Sequence, residues 1–458
     1  MKRPRHSRRL ATSTEAVRRL AVAALLIIGP FFGVACTRDS KPPLPAPVNV
    51  VLITLDTCRA DHMSLYGYER ETTPNIDAFA THAVVFDRAR SQSASTAPAL
   101  SSLMTSQYVH HHGVLDTFGY VLADEAVTLA ERLQAEGLRT AAFTGIGVLM
   151  PNRGLAQGFD EYSFTRYNFK EYWKPADRLT DEALAWLETN HDAPFFLWVH
   201  YFEPHKPHTG VPDEYLQRFV GEPPEHRLVA AAGLEDGERE RVAARIDRYD
   251  GALAYVDQHV GRLLRRVGEL GVLKNSIVVL SADHGESLGE HGLDGHRFEL
   301  YEQLVRVPLV VAAPGLQPGR VSQDVEHIDV LPTVLARMEL AATGREEGGV
   351  LPVTGGSSGE PREVFSETWT PAGHKAMISD GRWKLIFSRG VDDAARFELY
   401  DLDDDPDELD ERTGAEPARA AELRARLESW MQDRFASPSM IGKGERETEM
   451  LRALGYID

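Results

Sequence analysis

Two short apolar runs in this sequence end abruptly in acidic residues. Residues 49–55 (NVVLITL) lead directly into Asp56, and residues 276–282 (SIVVLSA) lead into Asp283 and His284. Continuous apolar runs of this length, bounded by polar turns, are typical of buried parallel strands. Ligands of open α/β sheets bind beyond the carboxyl ends of the strands. We therefore expect these three side chains to meet at one edge of a sheet.

The rest of the chain before residue 345 alternates between helical and extended patterns. Apolar positions recur every three to four residues in the helical segments, and several of these segments end near a glycine, such as Gly137 or Gly271. This alternation predicts a doubly wound, mostly parallel α/β sheet. The predicted segments are strand 48–60, helix then strand 127–145, helix 181–190, strand 193–201, helix 245–271, strand 276–282 and strand 305–315.

The pattern changes after a glycine-rich connector at residues 344–360. Short alternating runs predict antiparallel strands, and a helix follows from about residue 417 to 435. We predict a large domain over 48–345, a smaller C-terminal α+β subdomain over 346–436 and a C-terminal tail over 437–458.

The first 36 residues have the pattern of an export signal. A basic region with seven Lys and Arg residues precedes the apolar stretch 20–34, and Cys36 follows. That stretch is shorter than the roughly 20 residues of a membrane-spanning helix. The sequence Gly-Val-Ala-Cys36 favours a lipoprotein signal with a lipidated Cys36; a plain cleaved signal and an uncleaved anchor are the alternatives. Residues 37–47 are interpreted as a proline-rich linker, so we expect an exported, periplasmic or outer-surface protein anchored to the membrane by its N-terminus.

The charge balance narrows the range of partners. The chain has 69 Asp and Glu against 50 Lys and Arg, a net charge of −19. This balance argues against a nucleic-acid-binding protein, which would present a basic face. An anionic ligand would need a local metal or a cluster of cationic side chains. With only two cysteines, Cys58 is interpreted as a small buried residue.

The candidate chemistry starts with a cation. Carboxylate oxygens and an imidazole at one sheet edge suit a divalent metal ion. Residues 91–114 add small hydroxyl residues before a helical stretch, and Thr96 stands at its predicted start. A helix N-terminus favours an oxyanion or phosphate-like group. The simpler alternative is that Thr96 or Ser95 only caps the helix.

Five motifs follow one another along the chain: VVLITLDTCRADHMSLYGY, TAPALSSLMTS with HHHGV, FFLWVHYFEPHKPH, SADHGESLGEHG with GHRFELYEQLVRVPLVV, and the C-terminal RWKLI with LYDLDDDPDELD. In this order they resemble the sulfatase family of the alkaline phosphatase superfamily. The resemblance extends over about residues 48–410. It implies a sulfatase-like catalytic domain and a hydrolase of sulfuric or phosphoric esters.

The resemblance implies a metal held by Asp56, Thr96, Asp283 and His284. Calcium, manganese and zinc all suit this set, and a second ion is left open. Two positions depart from the family pattern: Thr57 stands where a second Asp is common, and Leu100 where an Arg is expected. Thr96 stands where many sulfatases carry the Cys or Ser that becomes formylglycine. Threonine cannot form that aldehyde, so we expect no formylglycine and a Thr96 alkoxide as nucleophile.

A threonine nucleophile affects the expected substrate. It lacks the second hydroxyl with which a formylglycine hydrate expels sulfate, so water or an alcohol must open its adduct in line. Phosphoryl groups accept such attack readily, which favours phosphate or phosphonate esters over sulfate esters. The expected substrate is a small anionic ester or a cell-envelope glycan. The alternatives are a cell-envelope phospho-group transferase and a non-catalytic binding protein on the same scaffold.

Further residues complete the predicted site. His200, His205 and His296 follow or flank predicted strand ends, and the related phosphoethanolamine transferases show similar spacings. One of these histidines as general acid for the leaving alkoxide is our hypothesis. Arg59 is predicted to bind a non-bridging oxygen of the substrate, with a structural salt bridge as the alternative.

Overall fold

The computed structural model describes residues 48–164, 173–208, 210–221, 224, 234–353, 362–371, 373–390 and 394–432, and the backbone of 439–440. The predicted export signal, the proline-rich linker and most of the predicted tail lie outside these residues. Among the residues described, no helix combines the length and the apolar character needed to cross a membrane.

Sixteen strands are formed by the described residues. They are β1 (Asn49–Leu55), β2 (Val84–Arg90), β3 (Tyr120–Val121), β4 (Arg139–Thr144), β5 (Glu161–Ser163), β6 (Phe195–Tyr201), β7 (Ser276–Ala282), β8 (Ser287–Leu288), β9 (Asp294–Gly295), β10 (Arg306–Ala312), β11 (Gly319–Glu326), β12 (Val364–Thr370), β13 (Gly373–Ser379), β14 (Trp383–Gly390), β15 (Arg396–Asp401) and β16 (Ser439–Met440).

Ten α-helices accompany these strands within the described part of the chain. They are α1 (Pro74–Ala80), α2 (Thr96–Thr105), α3 (Val109–His112), α4 (Leu129–Ala135), α5 (Ala176–Asn190), α6 (Asp213–Leu216), α7 (Asp236–Glu269), α8 (Glu302–Val305), α9 (Val330–Arg337) and α10 (Pro417–Met431).

An eight-stranded sheet forms the centre of the large domain. Its order is β11-β2-β10-β7-β1-β6-β4-β5, and only β10 runs antiparallel to its neighbours. Strands β1, β6 and β7 are buried along their whole length, as their uninterrupted apolar sequences predicted. The largest hydrophobic cluster combines these strands with residues of the surrounding helices, including α2, α5 and α7. The predicted doubly wound, mostly parallel architecture is confirmed.

The C-terminal part contains the predicted second, antiparallel sheet. Strands β12 to β15 pair in sequence order, and α10 covers one face through Leu423 and Leu427. The other face places Met377 and Ile386 in a hydrophobic cluster with Leu300 of the large domain. The exact domain boundary near 345 stays a prediction, since the connector residues 354–361 lie outside the described part.

Candidate active site

Strand register brings Asp56 and Asp283 together. β1 and β7 are parallel neighbours, and Leu55 pairs with Ala282, so the next residue on each strand leaves the sheet at the same edge. Ligand atoms of Asp56, Asp283 and His284 all lie within 4.8 Å of one another, and the three side chains are fully buried. The three side chains therefore lie together, as the two apolar runs predicted.

The carboxylates of this group have the character of cation ligands. Both oxygens of Asp56 and the Oδ2 atom of Asp283 are buried and have no hydrogen-bond partner among the described residues. Buried anionic oxygens are costly unless a positive charge compensates them. Burial raises the pKa of Asp56 well above its usual value, and the nearby Asp283 and Glu286 carboxylates add to the shift. The donor set thus fits a divalent cation.

A strained backbone orients the second carboxylate. Thr57 has a φ of 56°, which is rare for a β-branched residue. In this conformation its N–H donates to Asp283 Oδ1 over 3.0 Å, and its carbonyl accepts from the Tyr249 hydroxyl over 2.7 Å. The His284 N–H is the second donor to Asp283 Oδ1, at 2.8 Å. Both of these N–H groups engage Oδ1, which leaves the Oδ2 atom of Asp283 available to the group that it forms with Asp56 and His284.

The tautomer of His284 follows from its hydrogen bond to the backbone. Its Nδ1 atom lies 2.8 Å from the carbonyl oxygen of Gly285, which only accepts, so Nδ1 carries the proton. The Nε2 lone pair is then available to a cation or a hydroxyl. The Thr96 Oγ1 atom lies 3.3 Å from this Nε2 atom. Thr96, the fourth predicted ligand, thus lies beside His284.

Thr96 is the first residue of α2, and its neighbour Ser95 occupies the capping position. The Ser95 hydroxyl does not cap the helix; it lies 2.8 Å from the Thr117 hydroxyl. Thr117 instead accepts from the Ala97 N–H over 3.1 Å. Within the described part of the chain, the side chains of Ser95 and Thr96 contact Thr117 and His284 and make no capping bond, so the simple cap interpretation does not describe this helix.

His205 and His296 form a facing pair beside the group. Their Nε2 atoms are 3.2 Å apart, and the His296 ring lies 4.3 Å from the His284 ring between centroids. The Nδ1 atoms of the pair contact the carbonyl oxygens of Lys206 and Ala94. Because carbonyls only accept, each Nδ1 carries its ring's proton, and the Nε2 lone pairs face each other. Burial lowers the pKa of His205 to about 3 and that of His296 well below its usual value.

His200 lies on the other side of Asp56. Its Nε2 atom is 3.6 Å from Asp56 Oδ2, and its Nδ1 atom is 2.9 Å from the Thr54 hydroxyl. Trp198 donates to that hydroxyl over 2.9 Å, which fixes the arrangement. Burial lowers the pKa of His200 to about 4, so the ring is neutral at pH 7.

Arg59 is the one predicted site residue whose side chain the structure engages elsewhere. Its Nε and Nη2 atoms donate to Asp61 at 3.0 and 2.9 Å. Its Nη1 atom donates to the Glu290 carboxylate at 2.6 Å and to the Glu286 carbonyl at 3.1 Å. This geometry matches the salt-bridge alternative and gives no support to a substrate contact.

Two buried carboxylates near the site, Glu203 and Glu286, are harder to predict from the sequence than the residues above. Glu203, in the YFEPH segment, is buried; burial raises its pKa to about 7, and one of its oxygens accepts from the Ala176 N–H. The Glu286 carboxylate is buried with both oxygens unpartnered among the described residues, and burial raises its pKa to about 7 as well. His291, in contrast, stacks on Tyr301 at 3.9 Å between ring centroids.

Comparison with known proteins agrees with this fold. The family model described as Sulfatase matches residues 48–340, and the model described as N-sulphoglucosamine sulphohydrolase, C-terminal, matches residues 289–435. The N-acetylglucosamine-6-O-sulfatase of Bacteroides thetaiotaomicron is 24% identical over 82% of this chain and 84% of its own length. The ulvan-active sulfatase of Formosa agariphila is 27% identical over 66% of this chain, and the match spans 64% of that protein.

Among solved structures, the phosphonate monoester hydrolase of Agrobacterium radiobacter superposes with a TM-score of 0.71. It is 23% identical in sequence, and the match covers 84% of this chain and 95% of that one. This likeness shows a shared alkaline phosphatase-like fold. The chain belongs to the sulfatase family, whose enzymes generally use a divalent metal.

Proposed function

We propose that this protein is a metal-dependent hydrolase of phosphate, phosphonate or sulfate esters with Thr96 as its nucleophile. The observation that carries the proposal is the 3.3 Å contact between the Thr96 hydroxyl and His284 Nε2, inside the buried group with Asp56 and Asp283. A reactive hydroxyl, a cation-binding group and a helix N-terminus for an anion coincide at one point.

The group Asp56, Asp283, His284 and Thr96 would hold the cation. When bound, a divalent cation lowers the pKa of a coordinated hydroxyl and neutralises an anionic ester. The chain's own residues supply the orientation: Thr57 and the His284 N–H fix the Asp283 carboxylate, and Gly285 fixes the His284 ring. The N-terminal end of α2 adds the partial positive charge of the helix dipole near the substrate oxygens, while its Ala97 and Ala99 N–H groups already donate to Thr117 and to the Ser95 carbonyl.

The histidine pair is placed to handle the proton of the leaving group. In the first step the Thr96 hydroxyl releases its proton to solvent, its oxygen bonds to phosphorus or sulfur, and the ester bond to the leaving oxygen breaks. A bound anionic ester raises the pKa of the neighbouring His205–His296 pair above its low value in the empty site, and the proton that the two Nε2 atoms then share passes to that oxygen. In the second step water attacks the adduct, Thr96 regains a proton, and the other proton of the water restores the pair.

Replacing His205 with glutamine is expected to lower kcat about 100-fold for an alkyl ester, because the leaving alkoxide then lacks its proton donor. A nitrophenyl ester, whose leaving group needs little protonation, should lose much less. The matched control is His208→Gln, since His208 lies in the same loop and its Nε2 atom contacts the Pro204 carbonyl, away from the histidine pair. Equal losses for both esters would argue against a general-acid role.

A phosphate or phosphonate ester is the favoured substrate. The reason is chemical: the threonine adduct can only be opened by in-line attack, which phosphoryl groups accept when cations stabilise their oxygens. The likeness in fold to a phosphonate monoester hydrolase is compatible with this preference. The sulfatase relatives keep sulfate esters in the panel of substrates to be tested.

The surroundings of the site suit a sugar-linked substrate. A cleft of about 290 Å³ lies between Phe298, two residues after His296, and the C-terminal sheet. The exposed Phe298 ring and Arg389 line this cleft and offer an aromatic surface and a cation for an anionic saccharide, whereas Lys375 is paired with Glu299. We therefore include anionic glycans among the candidate substrates.

One assay separates hydrolysis from the two alternatives. The protein, loaded in turn with calcium, manganese and zinc, is given aryl phosphate, aryl phosphonate monoester and aryl sulfate, with and without a glycan acceptor. Hydrolysis without an acceptor supports the proposal. Turnover only with the acceptor indicates a transferase, and metal binding without any turnover indicates a binding protein.

We further propose that the protein is exported and anchored through a lipidated Cys36. Expressed in a bacterial host with radiolabelled palmitate, the wild type is expected to incorporate label and to sediment with membranes. The Cys36→Ser variant should lose both properties, whereas Cys58→Ser should keep them, because Cys58 is buried. Label retained by Cys36→Ser would contradict the anchor.

A further inference from the structure

The backbone on the N-terminal side of Thr96 is held by the loop that carries His296. The Nδ1 atom of His296 donates to the Ala94 carbonyl over 3.2 Å. Residues 94–97, here called the nucleophile segment, are buried along their whole length. His296 therefore belongs to the facing histidine pair and also supports the segment that carries the Thr96 hydroxyl.

Thr117 holds the same segment on both sides of Thr96. Its hydroxyl lies 2.8 Å from the Ser95 hydroxyl and accepts from the Ala97 N–H over 3.1 Å. The Thr117 N–H donates to Asp116 Oδ1 over 2.7 Å, which orients the loop. The nucleophile segment is thus gripped by two separate loops, 116–117 and 296–297.

Asp116 and Arg297 lock these two loops together. One nitrogen of Arg297, Nη2, donates to both carboxylate oxygens of Asp116, at 3.0 and 2.8 Å. Both residues are only 7% exposed, so water competes little for this charged pair. The guanidinium also lies 4.8 Å from the centre of the Phe118 ring, which limits its movement.

The backbone of Arg297 carries a further sign of constraint. Its φ is 91°, a region that residues with a side chain rarely adopt. Thr368 of the C-terminal sheet holds the Arg297 carbonyl over 2.6 Å. Such a conformation persists only where its surroundings determine it, and here it occurs directly after His296.

We propose that Asp116 and Arg297 are positioning residues that keep the Thr96 hydroxyl and the His296 ring in one rigid frame. The contacts close a ring that runs from Ala94 through His296, Arg297, Asp116 and Thr117 back to Ala97. The contacts that carry this inference hold the two loops around the nucleophile segment. The proposal rests on the proposed function, in which Thr96 attacks and His296 shares the transferred proton.

The kinetic test replaces Asp116 with asparagine and Arg297 with lysine or methionine. Misplacing a nucleophile by about 1 Å costs on the order of 100-fold, so Asp116→Asn and Arg297→Met are expected to lower kcat by about that factor with little change in KM. Arg297→Lys, which keeps the charge and one contact, should recover part of the loss. The control is Asp401→Asn, which removes the carboxylate of the Arg382 ion pair in the C-terminal sheet. Loss of kcat in the control to the same degree would overturn the proposal.

A structural readout keeps the test independent of activity. In crystals of Asp116→Asn we expect the His296–Ala94 contact to be lost and the Thr96 hydroxyl to move from His284 by roughly 1 Å, the displacement that such catalytic losses require. An unchanged nucleophile segment in the folded variant would overturn the positioning role. If the wild type cleaves no ester while the segment moves as expected, the proposed function fails and the positioning inference stands.

Discussion

Replacing Thr96 with alanine is expected to lower kcat/KM by at least about 10,000-fold, the scale seen when a covalent nucleophile is removed. The loss should be this large because no other hydroxyl takes its place. Of the two neighbouring hydroxyls, that of Ser95 is engaged with Thr117, and that of Thr96 contacts His284 Nε2. The measurement is steady-state hydrolysis of an aryl phosphonate or phosphate by the metal-loaded variant.

Two variants control this experiment. Thr96→Ser keeps a hydroxyl at the same place and should retain activity within about 100-fold, since the nucleophile is preserved. Ser95→Ala removes the neighbouring hydroxyl and should act mainly through the contact with Thr117. A Thr96→Ala enzyme that keeps most of its activity, or a Ser95→Ala enzyme that loses all of it, would move the nucleophile away from Thr96.

Replacing Asp56 with asparagine is expected to abolish the response of the protein to divalent cations. A saturating cation at 100 times its Kd should stabilise the wild type by about 3 kcal/mol, because it binds only the folded chain. Without the Asp56 charge this gain should nearly vanish, together with turnover. The metal-free Asp56→Asn protein should be more stable than the metal-free wild type, by on the order of 2 kcal/mol, since a buried unpaired charge is removed.

The stability difference between the metal-free Asp56→Asn variant and the metal-free wild type should depend on pH. The folded pKa of Asp56 is raised by burial and by its neighbours, so the metal-free folded state binds the proton more tightly than the unfolded chain does. The stability that protonation brings is lost as the pH rises through the folded pKa, and is fully present below about 3.9, the unfolded value. The advantage of Asp56→Asn should therefore shrink as the pH falls.

Urea unfolding with chelator or with cation measures both effects. Asp257→Asn is the control, because Asp257 is buried and burial raises its pKa to about 6, but its carboxylate accepts from the backbone of Asn75 and Ile76. It should destabilise the protein and leave the cation response intact. An Asp56→Asn protein that is less stable without metal and still responds to cations would contradict the assignment of this ligand.

Much of the fold followed from local sequence pattern. The apolar runs that became β1, β6 and β7 are buried on both faces, so they carry an unbroken signal. The long amphipathic helix α7 was predicted over 245–271 and begins nine residues earlier, at Asp236, where the sequence is strongly polar. Strands β2 and β11, at or next to one sheet edge, were missed, because charged residues interrupt their apolar pattern.

Sequence pattern predicted only part of the candidate site. Asp56, Asp283 and His284 could be placed together because strand ends of a parallel sheet share one edge. The facing of His205 and His296 depends on loop conformations that no periodicity encodes. The Asp116–Arg297 pair joins residues 181 positions apart, and Arg59 turned to Asp61 and Glu290. These side-chain contacts are determined by tertiary packing.

The most direct test of Thr96 as the nucleophile is mass spectrometry of the metal-loaded enzyme quenched during turnover of a phosphonate or phosphate ester. We expect a covalent phosphonyl or phosphoryl group on the peptide that contains Thr96, located on that residue by fragmentation and absent from Thr96→Ala. An adduct located on Ser95 or on a histidine would contradict this assignment.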